Sequence, residues 1–181
     1  ACAEAGAEVM LVAGPVSLKT NHSSIDRIDV ESADEMYRAV LSEYDRSDIA
    51  IMCAAVADYA PETVSDVKLK RTGEDRILRL RPNPDIAAEL GRRKRPGQCL
   101  VGFALETNDE EMNARLKMEK KNLDFIVLNS LRDAGAGFQC DTNKVTVIGK
   151  QGDPVEIPCK PKIEVAADIV DIIGRYVSED R

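Results

Sequence analysis

The sequence predicts an α/β fold: an open, Rossmann-like, mostly parallel sheet with helices on both faces and a C-terminal β-hairpin. Short apolar runs alternate with segments of helical period, which is typical of parallel sheets with crossover helices. The runs at 48–55 and 98–104 are almost continuously apolar, as in strands buried on both faces. With 181 residues, 44% of them hydrophobic, the chain is long enough for one packed domain over 1–181.

The first elements have clear ends in the sequence. Gly6 is placed to stop a helical segment over 1–6, and a strand follows over 8–13. Ser32 and Glu35 match a capping box, which predicts the start of a helix. Apolar residues then recur on one face of that helix at Ala33, Met36, Tyr37, Val40, Leu41 and Tyr44.

The later elements follow the same logic. Asn83 is placed as an N-cap, with Pro84 at the first helical position. Thr107 and Glu110 match a second capping box, for a helix that runs to about Asn122. Strands are predicted at 48–55, 76–80, 98–104 and 124–129, with a hairpin at 143–149 and 154–158. One face of a closing helix is formed by Ala166, Ile169, Val170, Ile173 and Val177.

Composition argues against several classes of function. A net charge of −7 and 4% aromatic residues disfavour nucleic-acid binding. His22 is the single histidine, so a metal site of several histidines is excluded and a Ser-His-Asp triad would depend on it alone. The five cysteines form no C-x-x-C pair, which indicates reduced thiols and a cytoplasmic location. No apolar run approaches the roughly 18 residues of a membrane span, so no membrane is expected as a partner.

Charged residues follow the first long buried strand. Asp58 comes just after 48–55, where it is either a turn residue or a contact to a ribose or a metal. Lys68, Lys70 and Arg71 lie within four residues and repel one another. They form either a solvated loop or a flap that closes on phosphates. Ligands of open α/β sheets bind at the carboxyl ends of the strands, so both interpretations stay open until the other residues of this edge are considered.

Three further features lie near the same edge. Residues 83–86 (Asn-Pro-Asp-Ile) open a helix, whose N–H groups bind anions unless this is simply a good helix start. Gly102 permits a close approach of backbone to a ligand, next to Phe103. Lys117 and Lys121 share one helix face, as a cationic patch or as a stripe balanced by glutamates. Their joint placement favours a polyphosphate site.

Several motifs occur in order along the chain. They are Gly14-Pro15-Val16-Ser17-Leu18, Ala54-Ala55-Val56-Ala57-Asp58-Tyr59, Lys68-x-Lys70-Arg71, Asn83-Pro84-Asp85-Ile86, Val101-Gly102-Phe103-Ala104-x-Glu106-Thr107, Lys117-x-x-x-Lys121 with Asn122 and Asp124, and the segment from Phe138 to Asn143. Together they resemble phosphopantothenoylcysteine synthetase, the second activity of the bacterial bifunctional coenzyme A biosynthesis flavoprotein. The resemblance spans essentially the whole chain.

The resemblance implies a ligase of coenzyme A biosynthesis. CTP, as co-substrate, activates 4′-phosphopantothenate to an acyl-cytidylate, and L-cysteine then displaces CMP to form an amide. It also implies a Mg²⁺ requirement, a homodimer, no flavin in this domain, and a flavin-dependent decarboxylase that is fused to it or associated with it.

The resemblance also implies roles for individual residues. Lys68, supported by Lys70 and Arg71, acts catalytically on the triphosphate, and Asp58 contacts the nucleotide or its metal. In the family the cluster ends in Lys, so Arg71 keeps the charge with a different, planar geometry. The implied nucleotide-binding residues are Met52, Cys53, Ala54, Asp58, Lys68, Asn83, Pro84, Asp85, Ile86, Phe103, Lys117 and Lys121.

One departure from the family leaves alternatives open. The family begins with a strand and a turn with the motif Asn-x-Ser-Ser-Gly, and neither is found in these 181 residues. The turn contributes phosphate binding, and its Asn handles the acyl intermediate. We therefore expect a synthetase domain without its first strand and phosphate-binding turn. The alternatives are an inactive fragment or regulatory binding module, or a nicotinamide-dependent reductase, which would require a G-x-G-x-x-G motif that the sequence does not contain.

Overall fold

The computed structural model describes residues 1–71, 73, 75–106, 109–130 and 141–179. Its elements in chain order are β1 (Val9–Ala13), β2 (Ile25–Asp29), α1 (Ala33–Tyr44), β3 (Ile49–Met52), β4 (Tyr59–Pro61), β5 (Leu80–Pro82), α2 (Ile86–Arg93), β6 (Cys99–Glu106), α3 (Glu110–Lys120), β7 (Phe125–Ser130), β8 (Thr142–Gly149), β9 (Val155–Pro161) and α4 (Lys162–Glu179).

The central sheet has the strand order β3-β6-β7-β8-β9. β3, β6 and β7 are parallel, while β8 and β9 are antiparallel and form the predicted hairpin. The mostly parallel α/β fold is therefore confirmed. In the described part of the chain, however, the strands do not form one continuous sheet, since β1 pairs in parallel with β2, and β4 pairs with β5 as a short antiparallel ribbon.

Helices cover both faces of the sheet, as predicted. On one face Tyr44 of α1, Leu90 of α2 and Met118 of α3 are buried in one apolar cluster with Leu100 and Ile126 of the sheet. A second cluster lies on the other face, under α4. Among the described helices, none is long and apolar enough to traverse a lipid bilayer.

The buried face of α4 is rotated slightly from the predicted one. Ile169 and Ile173 are buried as expected, but the third buried position is Val165. Ala166 and Val170, which were predicted on this face, are half-buried at its side. The fully buried row of α4 has a spacing of four residues, and Ile172, Tyr176 and the predicted Val177 pack beside it as partly buried residues.

The first 30 residues contain one prediction that needs correction and one strand that was not predicted. Residues 1–6 are turns rather than a helix, but Gly6 has a φ of +90°. Its N–H donates to Ala3 O and the next N–H, of Ala7, donates to Cys2 O, which is the bonding of a glycine helix end. The strand β2 was not predicted, since its sequence IDRID contains only two apolar residues.

Two strand predictions need correction. The predicted buried strand 48–55 is β3, which ends at Met52 and has Ile49 37% exposed. In the described residues β3 has a hydrogen-bonded neighbour on one side only, β6. The strand predicted at 76–80 lies instead at Leu80–Pro82, because the alternating apolar residues before it are exposed and have no sheet to pack on.

The helix α3 ends at Lys120, two residues before the predicted end, and Asn122 follows with a φ of +50°. The helix is preceded by Asp109 as N-cap, without a side-chain cap bond. Thr107 of the predicted capping box, and residues 138–140 of the motif that ends at Asn143, lie outside the described residues.

Candidate active site

A cleft of about 190 Å³ opens beside the carboxyl end of β3. The start of α2 and the carboxyl end of α3 form its walls, and β6 and β7 form its floor. Most of the residues that the sequence predicted for the nucleotide line it: Met52, Ala54, Asp58, Asn83, Pro84, Asp85, Ile86, Phe103, Lys117 and Lys121. The structure thus brings together residues that are up to 69 positions apart (52 to 121).

Four predicted residues do not line this cleft. Cys53 is exposed and lies between Met52 and Ala54, which do line it. Lys68, Lys70 and Arg71 lie in a segment that leaves the fold between β4 and β5. We call residues 62–79 the basic arm, of which the structure describes all but 72 and 74.

The two ends of the basic arm lie next to each other at the β4–β5 ribbon. The N–H of Glu62 donates to Arg79 O over 2.9 Å, next to the β4–β5 ribbon. Arg81 in β5 forms an ion pair with Asp34 of α1, which joins the base of the arm to the body of the fold. Every described residue of the arm is exposed. Lys68, Lys70 and Arg71 therefore lie in solvent, on a loop that is separate from the central sheet and its helices.

The start of α2 differs from the prediction in its capping residue. Asp85, not Asn83, is the N-cap, and its Oδ1 accepts a hydrogen bond of 3.0 Å from the N–H of Ala88. Asn83 does not cap because its Nδ2 donates to Ala57 O and its N–H donates to Asp58 O. These two bonds hold the start of α2 against the loop that carries Asp58. The buried Oδ1 of Asn83 has no hydrogen-bond partner within the described residues.

Asp85 also holds one of the cleft lysines. The Lys121 Nζ lies 3.0 Å from Asp85 Oδ2. Partial burial raises the pKa of Asp85, but the hydrogen bonds from Ala88 N–H and Lys121 outweigh it, so the pKa lies below its ordinary value. Asp85 is consequently ionised at neutral pH, and it links the N-terminus of α2 to the end of α3.

The second cleft lysine has its own carboxylate. Lys117 Nζ lies 2.5 Å from Glu106 Oε1, at the last residue of β6. The Glu106 side chain is 13% exposed, whereas that of Lys117 is 48% exposed. Glu106 was noted in the sequence only as part of a motif, without a role. The available signal was its position, since it is a carboxylate at the carboxyl end of a buried strand.

Two glycines allow the elements around the cleft to pack closely against each other. A Cβ on Gly91 of α2 would lie 1.9 Å from Lys121 O, and Asn122 Nδ2 donates to Gly91 O over 2.9 Å. A Cβ on Gly102 would lie 2.6 Å from Leu123 Cδ1. Gly102 lines the cleft as predicted, but close packing against Leu123 is a sufficient reason for a glycine there.

Few metal-binding groups are present. Within the described residues, no group of three or more His, Cys, Asp or Glu side chains is arranged to hold a metal ion. Of the two described carboxylates that line the cleft, Asp85 is paired with Lys121, and Asp58 is exposed. One carboxylate suits Mg²⁺ that is bound mainly by substrate phosphates, which is how this ion is usually held at nucleotide sites.

Sequence reasoning missed a buried ionic cluster away from the cleft. Asp124, 5% exposed, accepts from Leu100 N–H over 2.7 Å and lies 2.7 Å from Lys94 Nζ and 3.1 Å from Lys150 Nζ. Burial lowers the pKa of Lys94, although Asp124 opposes this. The cluster joins the end of α2, the start of β7 and the β8–β9 turn, whose contact the sequence does not reveal.

Comparisons with known proteins agree with this architecture. Residues 1–176 match the model of the family described as DNA/pantothenate metabolism flavoprotein C-terminal domain. A crystal structure of the C-terminal domain of coenzyme A biosynthesis bifunctional protein CoaBC superposes with a TM-score of 0.81 at 35% identity, covering 98% of this chain and 79% of that one.

Two curated relatives have different names. The bifunctional protein CoaBC of Bacillus subtilis is 47% identical over 174 residues, which are 96% of this chain and 43% of the relative. A protein named cysteine/cysteine sulfinic acid decarboxylase, from an unknown prokaryotic organism, is 53% identical over 170 residues, or 94% of this chain and 47% of that protein. The chain thus spans less than half the length of these two relatives.

Proposed function

Since the chain belongs to the family of DNA/pantothenate metabolism flavoprotein C-terminal domains, we propose that it is a ligase of coenzyme A biosynthesis. It joins 4′-phosphopantothenate to L-cysteine at the expense of CTP. An acyl-cytidylate is the intermediate, and the products are 4′-phosphopantothenoylcysteine, CMP and pyrophosphate. The likeness over nearly the whole chain to the CoaBC protein of Bacillus subtilis supports this assignment.

The observation that carries the proposal is the cleft. Two lysines, Lys117 and Lys121, meet the N-terminus of α2 on its walls. Ammonium groups and the free N–H groups of a helix start both attract phosphate oxygens. The apolar parts of Met52 and Phe103 provide contact area for a nucleoside next to this polar edge. The cleft therefore suits a nucleotide with its phosphates towards the lysines.

The chemistry requires no nucleophile from the protein. In the first step, an oxygen of the phosphopantothenate carboxylate forms a bond to the α-phosphorus of CTP, and the α–β phosphoanhydride bond breaks to release pyrophosphate. In the second, the cysteine amine attacks the acyl carbon, loses a proton, and CMP leaves. The protein aligns the reactants and neutralises the charge that moves to the leaving group. Lys117 and Lys121 do so from the cleft, and Lys68, Lys70 and Arg71 do so from the basic arm.

Asp58 is the residue of this chain that would hold Mg²⁺, together with the triphosphate. The ion supplies Lewis-acid stabilisation of the phosphoryl oxygens. We expect Asp58→Asn to raise the Mg²⁺ concentration needed for half-maximal turnover about tenfold, because a neutral amide is a poorer ligand for a hard cation. A Mg²⁺ titration of the rate at saturating CTP measures this. An unchanged midpoint in a folded variant would remove Asp58 from the metal site.

We also propose that the native protein is a homodimer in the cytoplasm and that it is fused to, or associated with, a flavin-dependent decarboxylase. The word "bifunctional" in the names of the CoaBC relatives supports a second activity in the same protein. Sedimentation of the full-length protein tests the dimer, and its absorbance at flavin wavelengths tests the second domain. A colourless monomer would contradict both parts of this proposal.

The test of the ligase is pyrophosphate release by the full-length protein with CTP, Mg²⁺, 4′-phosphopantothenate and L-cysteine. We expect release with CTP and much less with ATP. Without cysteine, the reaction should stop after about one pyrophosphate per site, since the acyl-cytidylate is held. No release by folded protein would overturn the ligase assignment and favour a regulatory binding module, for which CTP would still bind without turnover.

A further inference from the structure

The two cleft lysines are both held by carboxylates, but the two pairs differ in their surroundings. Asp85 lines the cleft together with its partner Lys121. Glu106 does not line the cleft, although its partner Lys117 does. The Glu106 carboxylate therefore contacts the ammonium group of Lys117 from outside the residues that line the cleft.

Glu106 is a half-buried acid at the end of a strand whose first four residues are buried. Its side chain is 13% exposed, and the residues before it in β6 from Cys99 to Gly102 are all buried. A carboxylate in such a place needs a cation, since desolvation of an isolated charge is costly. Lys117 provides it at 2.5 Å from Oε1. The burial of Glu106 restricts its own motion, and through the ion pair it restricts that of Lys117.

An ammonium group has three N–H donors. Glu106 contacts that of Lys117 as an ion pair, and its Oε1 has no hydrogen-bond partner within the described residues. The Lys117 side chain is still 48% exposed, so its remaining donors are accessible from the cleft. A lysine side chain that is mobile in solvent loses conformational entropy when it binds a phosphate. A lysine that is already held at the wall has lost much of that entropy before the ligand arrives.

We propose that Glu106 is a positioning residue for nucleotide binding: it holds Lys117 at the cleft wall in the orientation in which its ammonium group contacts the triphosphate. The inference deepens the proposed ligase function and rests on it. Glu106 also lowers the net positive charge at the wall, which by itself would weaken anion binding. Because Glu106 does not line the cleft, a ligand bound there does not have to displace it, and we expect orientation to be the larger effect.

The test is CTP binding and turnover by the full-length protein with Glu106→Gln. We expect the Kd for Mg·CTP, measured by calorimetry without phosphopantothenate, to rise about three- to tenfold, which is the range for ordering one long side chain. KM for CTP should rise in parallel, while kcat at saturating CTP and KM for cysteine change less than about twofold. Tighter CTP binding would show that charge, not orientation, dominates, and would overturn the proposal.

A matched control and a double variant separate positioning from a structural role. Glu111→Gln removes an acid from an ion pair with Arg115 (2.8 Å) on α3, away from the cleft, and should leave every one of these constants unchanged. Combining Glu106→Gln with Lys117→Met should weaken CTP binding no more than Lys117→Met alone, because Glu106 acts through Lys117. Additive losses would overturn the proposal.

Two further results keep the outcome decisive. If Glu106→Gln lowers Tm so far that it does not fold, Glu106→Asp replaces it, with the charge kept and the reach shortened. We expect its Kd for Mg·CTP to lie between those of the unchanged protein and Lys117→Met, and no change would overturn positioning. If the unchanged protein binds no CTP, the proposed function and this inference both fail. If it binds and turns over CTP but Glu106 variants bind equally well, the inference alone fails.

Discussion

Single charged residues differ sharply in how firmly the fold holds them. Lys121 and Lys117 are each paired with a carboxylate at the cleft. Lys68, in the basic arm, is exposed and forms no ion pair within the described residues. A side chain with so few contacts contributes little to folding, so its replacement reports on function with little interference from stability.

This contrast gives a first residue-level prediction. Lys68→Gln should lower pyrophosphate release about 100-fold, as for loss of one group that stabilises transition-state charge, and change the free energy of unfolding by less than about 0.5 kcal/mol. Arg76→Gln is the matched control, since it removes a cation from the same arm outside the Lys68 cluster. Turnover that falls equally in both variants would indicate a general effect of arm charge and contradict a specific role.

Tyr44 gives a second prediction, on pH. Its side chain is 3% exposed, its hydroxyl has no hydrogen-bond partner in the described parts of the chain, and burial, with Asp124 nearby, raises its pKa to about 12. The folded state thus favours the neutral phenol. The neutral phenol of Tyr44 makes its full contribution to the free energy of unfolding below the unfolded pKa of about 10. As the pH rises through 12, the free energy of unfolding falls by about 2–3 kcal/mol.

Tyr44→Phe should therefore flatten the loss of stability between pH 10 and 12. At pH 7 it should raise the free energy of unfolding by about 1 kcal/mol, because it removes a buried hydroxyl without a partner. Urea unfolding at several pH values measures both effects. The control is Tyr59→Phe, at a side chain that is 60% exposed. Destabilisation by Tyr44→Phe at pH 7 would mean that the hydroxyl is hydrogen-bonded.

At the level of elements, the packing of α2 on the end of α3 sets the geometry of the cleft. Alanine normally stabilises a helix relative to glycine by up to about 1 kcal/mol. At Gly91 a Cβ would overlap Lys121 O at 1.9 Å, so the two elements would have to separate. We expect Gly91→Ala to destabilise the protein by about 1–3 kcal/mol and to weaken CTP binding, because it moves Lys121.

Gly174 in α4 is the matched control for this prediction. A Cβ there has nothing within 4 Å, so Gly174→Ala should stabilise the protein by up to about 1 kcal/mol and leave CTP binding unchanged. Thermal unfolding and calorimetry on the two variants compare them directly. Stabilisation by both substitutions would show that α2 and α3 are not in close contact at Gly91.

Element types were predictable from the sequence, while their limits and caps were less so. The helical periods of α1 and α4 are local properties and were recognised. The limits of β3 and the exact buried row of α4 depend on neighbouring strands, which the sequence does not show. The N-cap of α2 was misassigned to Asn83 because the tertiary bond from its Nδ2 to Ala57 O is not visible locally. The pair of Lys121 and Asp85 joins residues 36 apart, so it too required the fold. The nucleotide-binding assignments themselves stay predictions.

At the scale of the whole molecule, the ionic cluster around Asp124 joins distant parts of the chain. Its carboxylate contacts the backbone of β6 and two lysines from distant parts of the chain, and its side chain is 7% exposed. Removing one partner of a buried ionic group leaves the others uncompensated, at a cost of about 3–5 kcal/mol. Such a cost is a large fraction of the stability of a typical domain.

Asp124→Asn should consequently lower the free energy of unfolding by about 3 kcal/mol, measured by urea denaturation. The matched control is Asp168→Asn, whose partner Lys160 lies 2.5 Å away and whose side chain is 41% exposed. There the loss should stay below about 1 kcal/mol, as for solvent-exposed pairs. Equal losses in the two variants would mean that burial of Asp124 does not determine its contribution.

The basic arm departs and rejoins at the β4–β5 ribbon, and the described residues along it pack on neither apolar cluster. Insertions or deletions within it change only the entropy of closing a loop, which grows slowly with length. The distance to which the cations extend can therefore vary by mutation without disturbing the cleft. The chain therefore has two separately adjustable parts, a cleft of fixed shape and a charged loop whose length can be changed.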